Sequence, residues 1–296
     1  MLGPMTIALL GTGLLGSAIG LRLLRQGQNL VVWNRHADRC APLLEQGAHQ
    51  ALSPAAAAAE ADWLITVLSD GPTTASVLID QVGAELQGRA VLQIGTIGPD
   101  ESRTLAAAVV DRGGRYLEAP VLGSRPEALE GRLQLMTGGP KPLMEEARPL
   151  LELLSETPVH LGEVGAAMGA KLALNQLIAS LTHAFSLSLH LVQQSGVEVS
   201  AFMDLLRASA LYAPTFDKKL ERELAGHYSN PNFPTAHLRK DLKLFINAAN
   251  QAGLNSEGLM GLVQLLERST AADLDDLDYC ALHALTAGQT TAAAPG

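Results

Sequence analysis

A glycine-rich turn close to the N-terminus constrains the fold more than any other part of the sequence. Gly11-Thr12-Gly13-Leu14-Leu15-Gly16 follows an apolar, β-type run over residues 6–10 and precedes a helical run over residues 17–26. In a strand, turn and helix of this kind, the first glycine permits the tight turn and the second lets a pyrophosphate approach the backbone. The third lets the helix pack closely on the strand. The helix N-terminus adds free N–H groups and a partial positive charge. We therefore predict a dinucleotide site here, with an ordinary strand-to-helix turn as the alternative.

The end of the second β-type run, at residues 30–33, indicates which dinucleotide binds. An acidic residue at this place would accept a hydrogen bond from the ribose 2′-hydroxyl and favour NAD. This chain has Asn34, Arg35 and His36 instead, with Arg39 one turn later. Because a guanidinium binds a 2′-phosphate in a bidentate manner, these residues favour NADP(H) over NAD(H). The alternative for Arg35 is a solvated loop arginine.

Composition excludes several other classes of protein. The chain has 296 residues, which is long enough for two domains with separate cores. A net charge of −9 without a basic stripe argues against a nucleic-acid partner. Cys40 and Cys280 form no paired motif, and no cluster of His, Cys and carboxylates has metal-ligand spacing. We expect no metal, no targeting segment, and a cytoplasmic protein with reduced thiols.

The order of hydrophobic runs divides the chain into two parts. β-type runs alternate with helical stretches in the first part, which predicts a largely parallel sheet covered on both faces. We expect residues 1–163 to form this first domain, residues 164–287 to form a helical domain, and residues 288–296 to form a disordered tail. The expected strands are 6–10, 30–33, 62–68, 90–96, 115–122 and 133–137, with a seventh possible at 158–161. The expected later helices are 166–195, 199–210, 214–225, 234–252, 256–270 and 277–286.

One long helical stretch is almost free of charge. Lys171 is the only Asp, Glu, Lys or Arg among residues 164–197. Interspersed polar residues make a membrane span unfavourable, so the pattern predicts a long helix buried between the two domains or between subunits. Asn175, four residues on, shares the helical face of Lys171. A positioned ammonium can stabilise the negative charge that develops on a carbonyl oxygen during reduction, and can donate the proton. The alternative is a lysine that reaches the surface along its apolar stem.

Several motifs in order along the chain resemble the β-hydroxyacid dehydrogenase family, which includes 3-hydroxyisobutyrate dehydrogenases and glyoxylate/succinic semialdehyde reductases. Beyond the glycine turn, the motifs that carry the resemblance are Gly95-Thr96-Ile97-Gly98-Pro99 with Ser102, Glu118-Ala119-Pro120-Val121-Leu122-Gly123-Ser124, residues 131–139, residues 162–176, Lys240-Asp241-Leu242 and residues 275–282. The second of these motifs is most similar to the glyoxylate/succinic semialdehyde reductase branch. The resemblance implies a Rossmann-type, doubly wound α/β domain and an all-α domain, joined by a long interdomain helix.

The resemblance also implies a reaction and its residues. The reaction would be NAD(P)-dependent reduction of a small aldehyde-acid such as glyoxylate or succinic semialdehyde, in a homo-oligomer, either dimer or tetramer. Lys171 would be the proton donor or oxyanion stabiliser, and Asn175 would orient it. Cofactor contacts would come from Leu68, Ser69, Thr96 and Lys240, besides the glycine turn and Asn34, Arg35 and His36. Substrate contacts would come from Thr96, Leu122, Gly123, Ser124, Phe233 and Asp241, although core packing is an alternative for Phe233.

Leu122 departs from the family pattern, which usually has serine there to hold the substrate carboxylate. Leucine is bulkier and donates no hydrogen bond, although the amides of Gly123 and Ser124 and the Ser124 hydroxyl are still available in the sequence. This departure leaves a second reading open, in which the substrate is an uncharged carbonyl or an imine. A third reading is a non-catalytic NADP(H)-binding module, against which Lys171 and Asn175 argue. In every reading we expect neither a nucleic-acid nor a membrane partner.

Overall fold

The computed structural model describes residues 5–287, so the expected tail at 288–296 lies outside the described residues. Contacts divide the chain into two compact units, the first ending at Ala173 and the second beginning at Leu174. The division therefore falls within a single long helix.

The first unit contains a nine-stranded sheet. Its strands are β1 Thr6–Leu10, β2 Asn29–Trp33, β3 His49–Gln50, β4 Trp63–Thr66, β5 Ala90–Gln93, β6 Arg115–Glu118, β7 Val121–Leu122, β8 Gln134–Gly138 and β9 Val159–Gly162. Their order is β3-β2-β1-β4-β5-β6-β8-β7, and β9 pairs with β8. Every pairing from β3 to β6 is parallel, whereas β8 runs antiparallel to β6 and β7. The strand order from β3 to β6 is that of a Rossmann sheet, as expected.

Helices and two apolar cores cover the faces of this sheet. Ile7 and Leu9 of β1 belong to one core cluster, whereas Ala8 and Leu10 belong to the other. Because side chains alternate across a strand, this division shows that both faces of the sheet are buried. The helices of this unit are α1 Leu14–Arg25, α2 Ala41–Leu44, α3 Pro54–Ala59, α4 Gly71–Ala75, α5 Pro99–Val110, α6 Arg125–Glu130 and α7 Lys141–Leu151.

The second unit is helical, and helix α8, Ala166–Gln194, leads into it. The helices that follow are α9 Val199–Arg207, α10 Pro214–Ala225, α11 Thr235–Gln251, α12 Met260–Glu267 and α13 Leu282–Thr286. Between residues 166 and 287 the structure has no named strand, only an isolated bridge between Pro234 and Asp278. Helical periodicity thus located these elements well. The expected helices at 256–270 and 277–286 are shorter, however, and each follows a 3-10 turn.

Three details of the expected sheet are wrong. The strand expected at 115–122 is two strands, because Pro120 has no N–H to donate to a ladder and the chain turns there before β7 pairs with β8. The strands expected at 62–68 and 90–96 end earlier, at Thr66 and Gln93. Strand β3 was not predicted, since its two exposed residues carry no apolar pattern.

Helix α8 leaves part of its apolar surface exposed in the single chain. By length and composition it could cross a membrane, but buried core helices pass the same test, and 39% of its most apolar window is buried. Leu177, Leu187 and Leu191 are 51%, 49% and 67% exposed. One apolar stripe of the helix therefore stays open in the single chain, and burial of α8 between the two domains or between subunits stays a prediction.

Candidate active site

The glycine turn has the geometry that its sequence predicts. Gly11 has a positive φ of 104°, and a Cβ at this position would overlap the Val67 carbonyl. A Cβ at Gly16 would overlap the Gly11 carbonyl, whereas a Cβ at Gly13 would meet nothing within 4 Å. The first and third glycines are thus required for packing, and the second faces open space. Helix α1 begins at Leu14, directly after this turn and earlier than the predicted residue 17.

The N-terminus of α1 is suited to an anion. Its N-cap residue, Gly13, makes no side-chain capping bond, and the first turn contains no acidic residue. The first amides of a helix have no partner within the helix, and the helix dipole places partial positive charge there. Together with the open space at Gly13, this turn fits the pyrophosphate of a dinucleotide.

Three neighbouring strands bring their carboxyl ends to this turn. The Gly11 amide donates to the Trp33 carbonyl at the end of β2, at 2.9 Å. The Leu68 side chain, after β4, reaches within 3.0 Å of the Cβ position of Gly11, and a Cβ on Gly95 would lie 2.6 Å from the Leu68 carbonyl. The predicted cofactor segments at Leu68 and Gly95 therefore lie beside the glycine turn. Ser69, next along, donates its hydroxyl proton to Asp70 at 2.7 Å.

The loop after β2 carries the predicted ribose-binding residues. The Asn34 side-chain oxygen accepts a hydrogen bond from the His36 amide at 2.9 Å, which fixes the turn. Arg35, His36 and Arg39 are all exposed. Since β2 pairs with β1, this loop lies at the same sheet edge as the glycine turn. The exposed acidic residue of the loop, Asp38, belongs to a 3-10 turn rather than to the strand end.

Thr96 is half-buried in the loop between β5 and α5. Helix α5 begins right after this loop, and the Glu101 carboxylate accepts from the Gly98 amide at 2.6 Å. At the end of β5, the side-chain amide of Gln93 donates to the Gly95 carbonyl at 2.9 Å. These bonds hold the Thr96 loop at the carboxyl end of the parallel sheet, where ligands of such sheets bind.

The segment from Leu122 to Ser124 lies against a carboxylate of the chain itself, that of Glu127. Leu122 is half-buried on β7, and Gly123 has a positive φ of 121°. The Ser124 amide and hydroxyl both donate to one oxygen of Glu127, at 2.7 and 2.8 Å. The two Ser124 groups that were expected to bind a substrate carboxylate therefore already contact a carboxylate of the chain itself.

Lys171 lies in the first turns of α8 and is 8% exposed. The start of this helix is held by Glu118, the last residue of β6. One Glu118 oxygen accepts from the amides of Ala167 and Met168, at 2.8 and 3.2 Å. The other accepts from the Ser102 hydroxyl at 2.6 Å. Sequence reasoning gave Glu118 only a place in a motif, and its partners 49 and 50 residues away could not be identified from local sequence.

In the helical unit, Asn175 and Asp241 form a buried pair. The Asn175 amide donates to an Asp241 oxygen at 2.6 Å, and the Lys240 ammonium lies 3.0 Å from the other oxygen. Because a carboxylate only accepts, this bond orients the Asn175 NH₂ toward Asp241. The Asn175 side-chain oxygen is buried without a hydrogen-bond partner among the described residues.

Phe233 lies in an aromatic cluster of the helical unit. Its ring centroid is 6.0 Å from that of Tyr279 and 6.2 Å from that of His237. Burial lowers the pKa of His237, and the neighbouring Lys240 lowers it further. Phe233 is partly buried and packs on an apolar core, which agrees with the packing role considered for it. Among residues 5–287, no three His, Cys, Asp or Glu side chains are grouped for a metal ion.

Two family descriptions match this chain. The NAD binding domain of 6-phosphogluconate dehydrogenase matches residues 6–169, and the NAD-binding domain of NADP-dependent 3-hydroxyisobutyrate dehydrogenase matches residues 165–286. The chain is 31% identical to glyoxylate/succinic semialdehyde reductase 1 of Arabidopsis thaliana over 94% of its own length and 97% of the relative's.

Solved structures share the fold over nearly the whole chain. The 3-hydroxyisobutyrate dehydrogenase of Mycobacterium tuberculosis, solved with L-serine, has a TM-score of 0.85 at 24% identity, covering 95% of this chain and 99% of its own. Psf3, solved in complex with NADP+ and 2-OPP, has a TM-score of 0.81 at 23% identity, covering 94% and 99%. The two family descriptions and the 31% identical relative, together with the geometry of the glycine turn, place the chain in the β-hydroxyacid dehydrogenase family of NAD(P)-dependent oxidoreductases, within its glyoxylate/succinic semialdehyde reductase branch.

Proposed function

We propose that this enzyme uses NADPH to reduce a small aldehyde-acid of the glyoxylate or succinic semialdehyde type to the hydroxyacid. The observation that carries this proposal is the buried Lys171 on α8, in the same unit as the glycine turn. An ammonium in such surroundings loses hydration, and charge that develops on a carbonyl oxygen compensates for that loss.

Each site residue has a separate role in the proposed reduction. When bound, the nicotinamide supplies the hydride that reduces the carbonyl carbon. Lys171 donates its proton to the carbonyl oxygen and stabilises the negative charge there. Asn175, one helical turn later on α8, offers its unpaired side-chain oxygen to keep the ammonium or the substrate hydroxyl oriented. Thr96 hydrogen-bonds near the reacting groups, and Asp241 fixes the Asn175 amide.

NADP(H) is the proposed cofactor because of the loop after β2. Arg35 and His36 are exposed at the sheet edge that carries the glycine turn, and Asn34 closes the turn by accepting from His36. A guanidinium beside the ribose attracts a 2′-phosphate, whereas no carboxylate ends the strand to bind a free 2′-hydroxyl.

Initial rates with both cofactors test the function. We expect the wild-type enzyme to oxidise NADPH with glyoxylate and succinic semialdehyde, with lower kcat/KM for NADH. Arg35→Ala should lower the NADPH-over-NADH preference by roughly 10-fold or more, since it removes the charged contact to the phosphate. Arg25→Ala, at the far end of α1, is the control. An enzyme that binds NADPH but oxidises it with no carbonyl or imine substrate would contradict the proposal.

A second candidate substrate class is favoured by Leu122 and Glu127. Leu122 donates no hydrogen bond, and Glu127 already accepts from the amide and hydroxyl of Ser124. A carboxylate at this position repels a second one, which favours an uncharged carbonyl or an imine. A neutral aldehyde such as butyraldehyde, compared with succinic semialdehyde in the same assay, separates the two classes by their kcat/KM values.

The remaining proposals concern the setting of the enzyme. We propose a cytoplasmic homo-oligomer, either dimer or tetramer, without nucleic-acid or membrane partners. The net charge of −9 supports the absence of a nucleic-acid partner. The exposed leucines of α8 support self-association, because contiguous apolar surface on a helix is typical of an interface.

A further inference from the structure

A fully buried polar network joins three elements of the first unit. Glu118 at the end of β6, Ser102 on α5 and Tyr116 on β6 lie within one hydrogen-bonded chain. The Ser102 oxygen is 2.6 Å from a Glu118 oxygen and 2.8 Å from the Tyr116 hydroxyl. The other Glu118 oxygen receives the first amides of α8, from Ala167 and Met168.

The surrounding groups satisfy the hydrogen-bonding needs of this carboxylate. Glu118 is completely buried, yet three donors satisfy its two oxygens. A Cβ on Gly138 would overlap Glu118, so the neighbouring strand β8 leaves room for it. A buried carboxylate is stable only with such hydrogen bonds, and a helix N-terminus is a favourable place for its charge.

Polar groups near the carboxylate come from its own strand and from α5. On its own strand, burial raises the pKa of Tyr116, and the charge of Glu118 raises it further, so this phenol remains a neutral hydrogen-bonding group. From α5, Ser102 is neutral, and the Arg103 guanidinium lies against Gly165 just before α8. Lys171 follows Ala167 by one helical turn, about 6 Å along the axis at 1.5 Å per residue.

We propose that Glu118 is a positioning residue for Lys171, acting through the first turn of α8 and supported by Ser102. This inference rests on the proposed role of Lys171 as proton donor. The carboxylate fixes the position at which α8 begins. It thereby fixes the position of Lys171, one turn later, relative to the Thr96 loop. That loop leads into α5, the helix that carries Ser102. The carboxylate also places a negative charge at the start of α8, one helical turn before the Lys171 ammonium. An error of about 1 Å in such a position can cost roughly 100-fold in rate.

Glu118→Gln and Glu118→Asp test this proposal in the full-length enzyme. Glu118→Gln keeps the shape but loses the charge and one acceptor, so we expect kcat to fall roughly 10- to 100-fold while KM for NADPH changes less than about 2-fold. The alkaline limb of the pH–rate profile should move to lower pH, because the ammonium loses a stabilising charge. Glu118→Asp, which keeps the charge, should restore that limb.

A control variant separates positioning from simple loss of a helix cap. Ser53→Ala removes the side-chain cap of α3, which lies elsewhere in the same unit. It should lower the melting temperature without moving kcat or the pH profile. If Glu118→Gln lowers the melting temperature but keeps the wild-type kcat and alkaline limb, Glu118 is only structural and the proposal is wrong.

Two further measurements cover the remaining outcomes. If Glu118→Gln does not fold, Ser102→Ala should still lower kcat by about 3-fold or more, and an unchanged kcat and pH profile would overturn the proposal. Hydrogen–deuterium exchange of peptides covering residues 164–172 needs no turnover. Faster exchange in Glu118→Gln or Ser102→Ala, with α7 unchanged, is expected. Unchanged exchange contradicts the positioning role even if no carbonyl substrate is reduced, whereas wild-type inactivity alone contradicts only the proposed function.

Discussion

Lys171 and Glu223 show how burial acts on single charged residues in this chain. Lys171 is the only charged side chain in the long apolar run, which is why the sequence alone drew attention to it. Glu223, on α10, is equally well buried but lies in a helix rich in charges, so no pattern marked it. A buried carboxyl is unfavourable in its ionised form, and the resulting shift in its pKa couples folding to pH.

Glu223 should make the protein less stable as the pH rises. Burial raises its pKa to about 8, against which the charge of Lys219 acts only partly. A folded pKa above the unfolded value gives stability that is complete below the unfolded value of 4.5 and lost as the pH rises through 8. Between pH 6.5 and 8 we expect Glu223 to cost the folded state about 1–2 kcal/mol, measured as a fall in melting temperature.

Variants at two positions of α10 check this prediction. Glu223→Gln should flatten the fall in melting temperature, whereas Glu221→Gln, at an exposed position, should leave it unchanged. His283, whose Nδ1 is 3.7 Å from Glu223, does not interfere in this window. Burial lowers its pKa to about 4, so its contribution is complete above 6.5 and is lost only at lower pH. An equal fall in wild type and Glu223→Gln would contradict the assignment.

At the scale of the element, two glycine-to-alanine substitutions in the glycine turn separate the packing of α1 from the binding of the cofactor. Gly16→Ala should destabilise the fold by about 1–3 kcal/mol, because its Cβ overlaps the Gly11 carbonyl. Gly13→Ala should leave the melting temperature within about 2 °C, since Gly13 has φ −72° and open space around its Cβ position. It should nevertheless weaken NADPH binding about 10-fold or more, because the methyl group occupies the pyrophosphate position.

Thermal unfolding together with NADPH fluorescence titration checks both variants. A Gly13→Ala protein with wild-type stability and wild-type NADPH affinity would show that the pyrophosphate does not approach this glycine.

How far the sequence predicts the elements depends on the range of the interactions that form them. The strand-turn-helix unit follows from glycine placement, and the bounds of α8 and α10 follow from local periodicity. The sequence predicts all three closely. The bond from Glu118 to the start of α8 and the bond from Asn175 to Asp241 join residues distant in sequence. Local patterns carry no information about such partners. The Ser124–Glu127 bond is different, because a serine three residues before a glutamate is a recognisable capping box.

On the scale of the whole molecule, the exposed stripe of α8 predicts self-association. Leu177, Leu187 and Leu191 fall on one face of the helix, because at about 100° per residue they lie within an arc of about 80°. Leu187→Glu with Leu191→Glu should reduce the molar mass measured by light scattering after size exclusion, since charges there oppose burial. Leu52→Glu, at a leucine that is 99% exposed in the other unit, is the control. A double variant with the wild-type mass would exclude this stripe as the interface.

The most direct test of the proposed mechanism is a single-turnover measurement of NADPH oxidation at saturating glyoxylate and succinic semialdehyde, with wild type and Lys171→Met. Methionine keeps an unbranched apolar stem but has no proton to donate. Lys141→Met, at an exposed position of α7, is the matched control. We predict that Lys171→Met slows NADPH oxidation by about 100-fold or more with little change in NADPH affinity, whereas Lys141→Met reacts like wild type. NADPH oxidation by Lys171→Met at the wild-type rate would contradict the proposed role of Lys171.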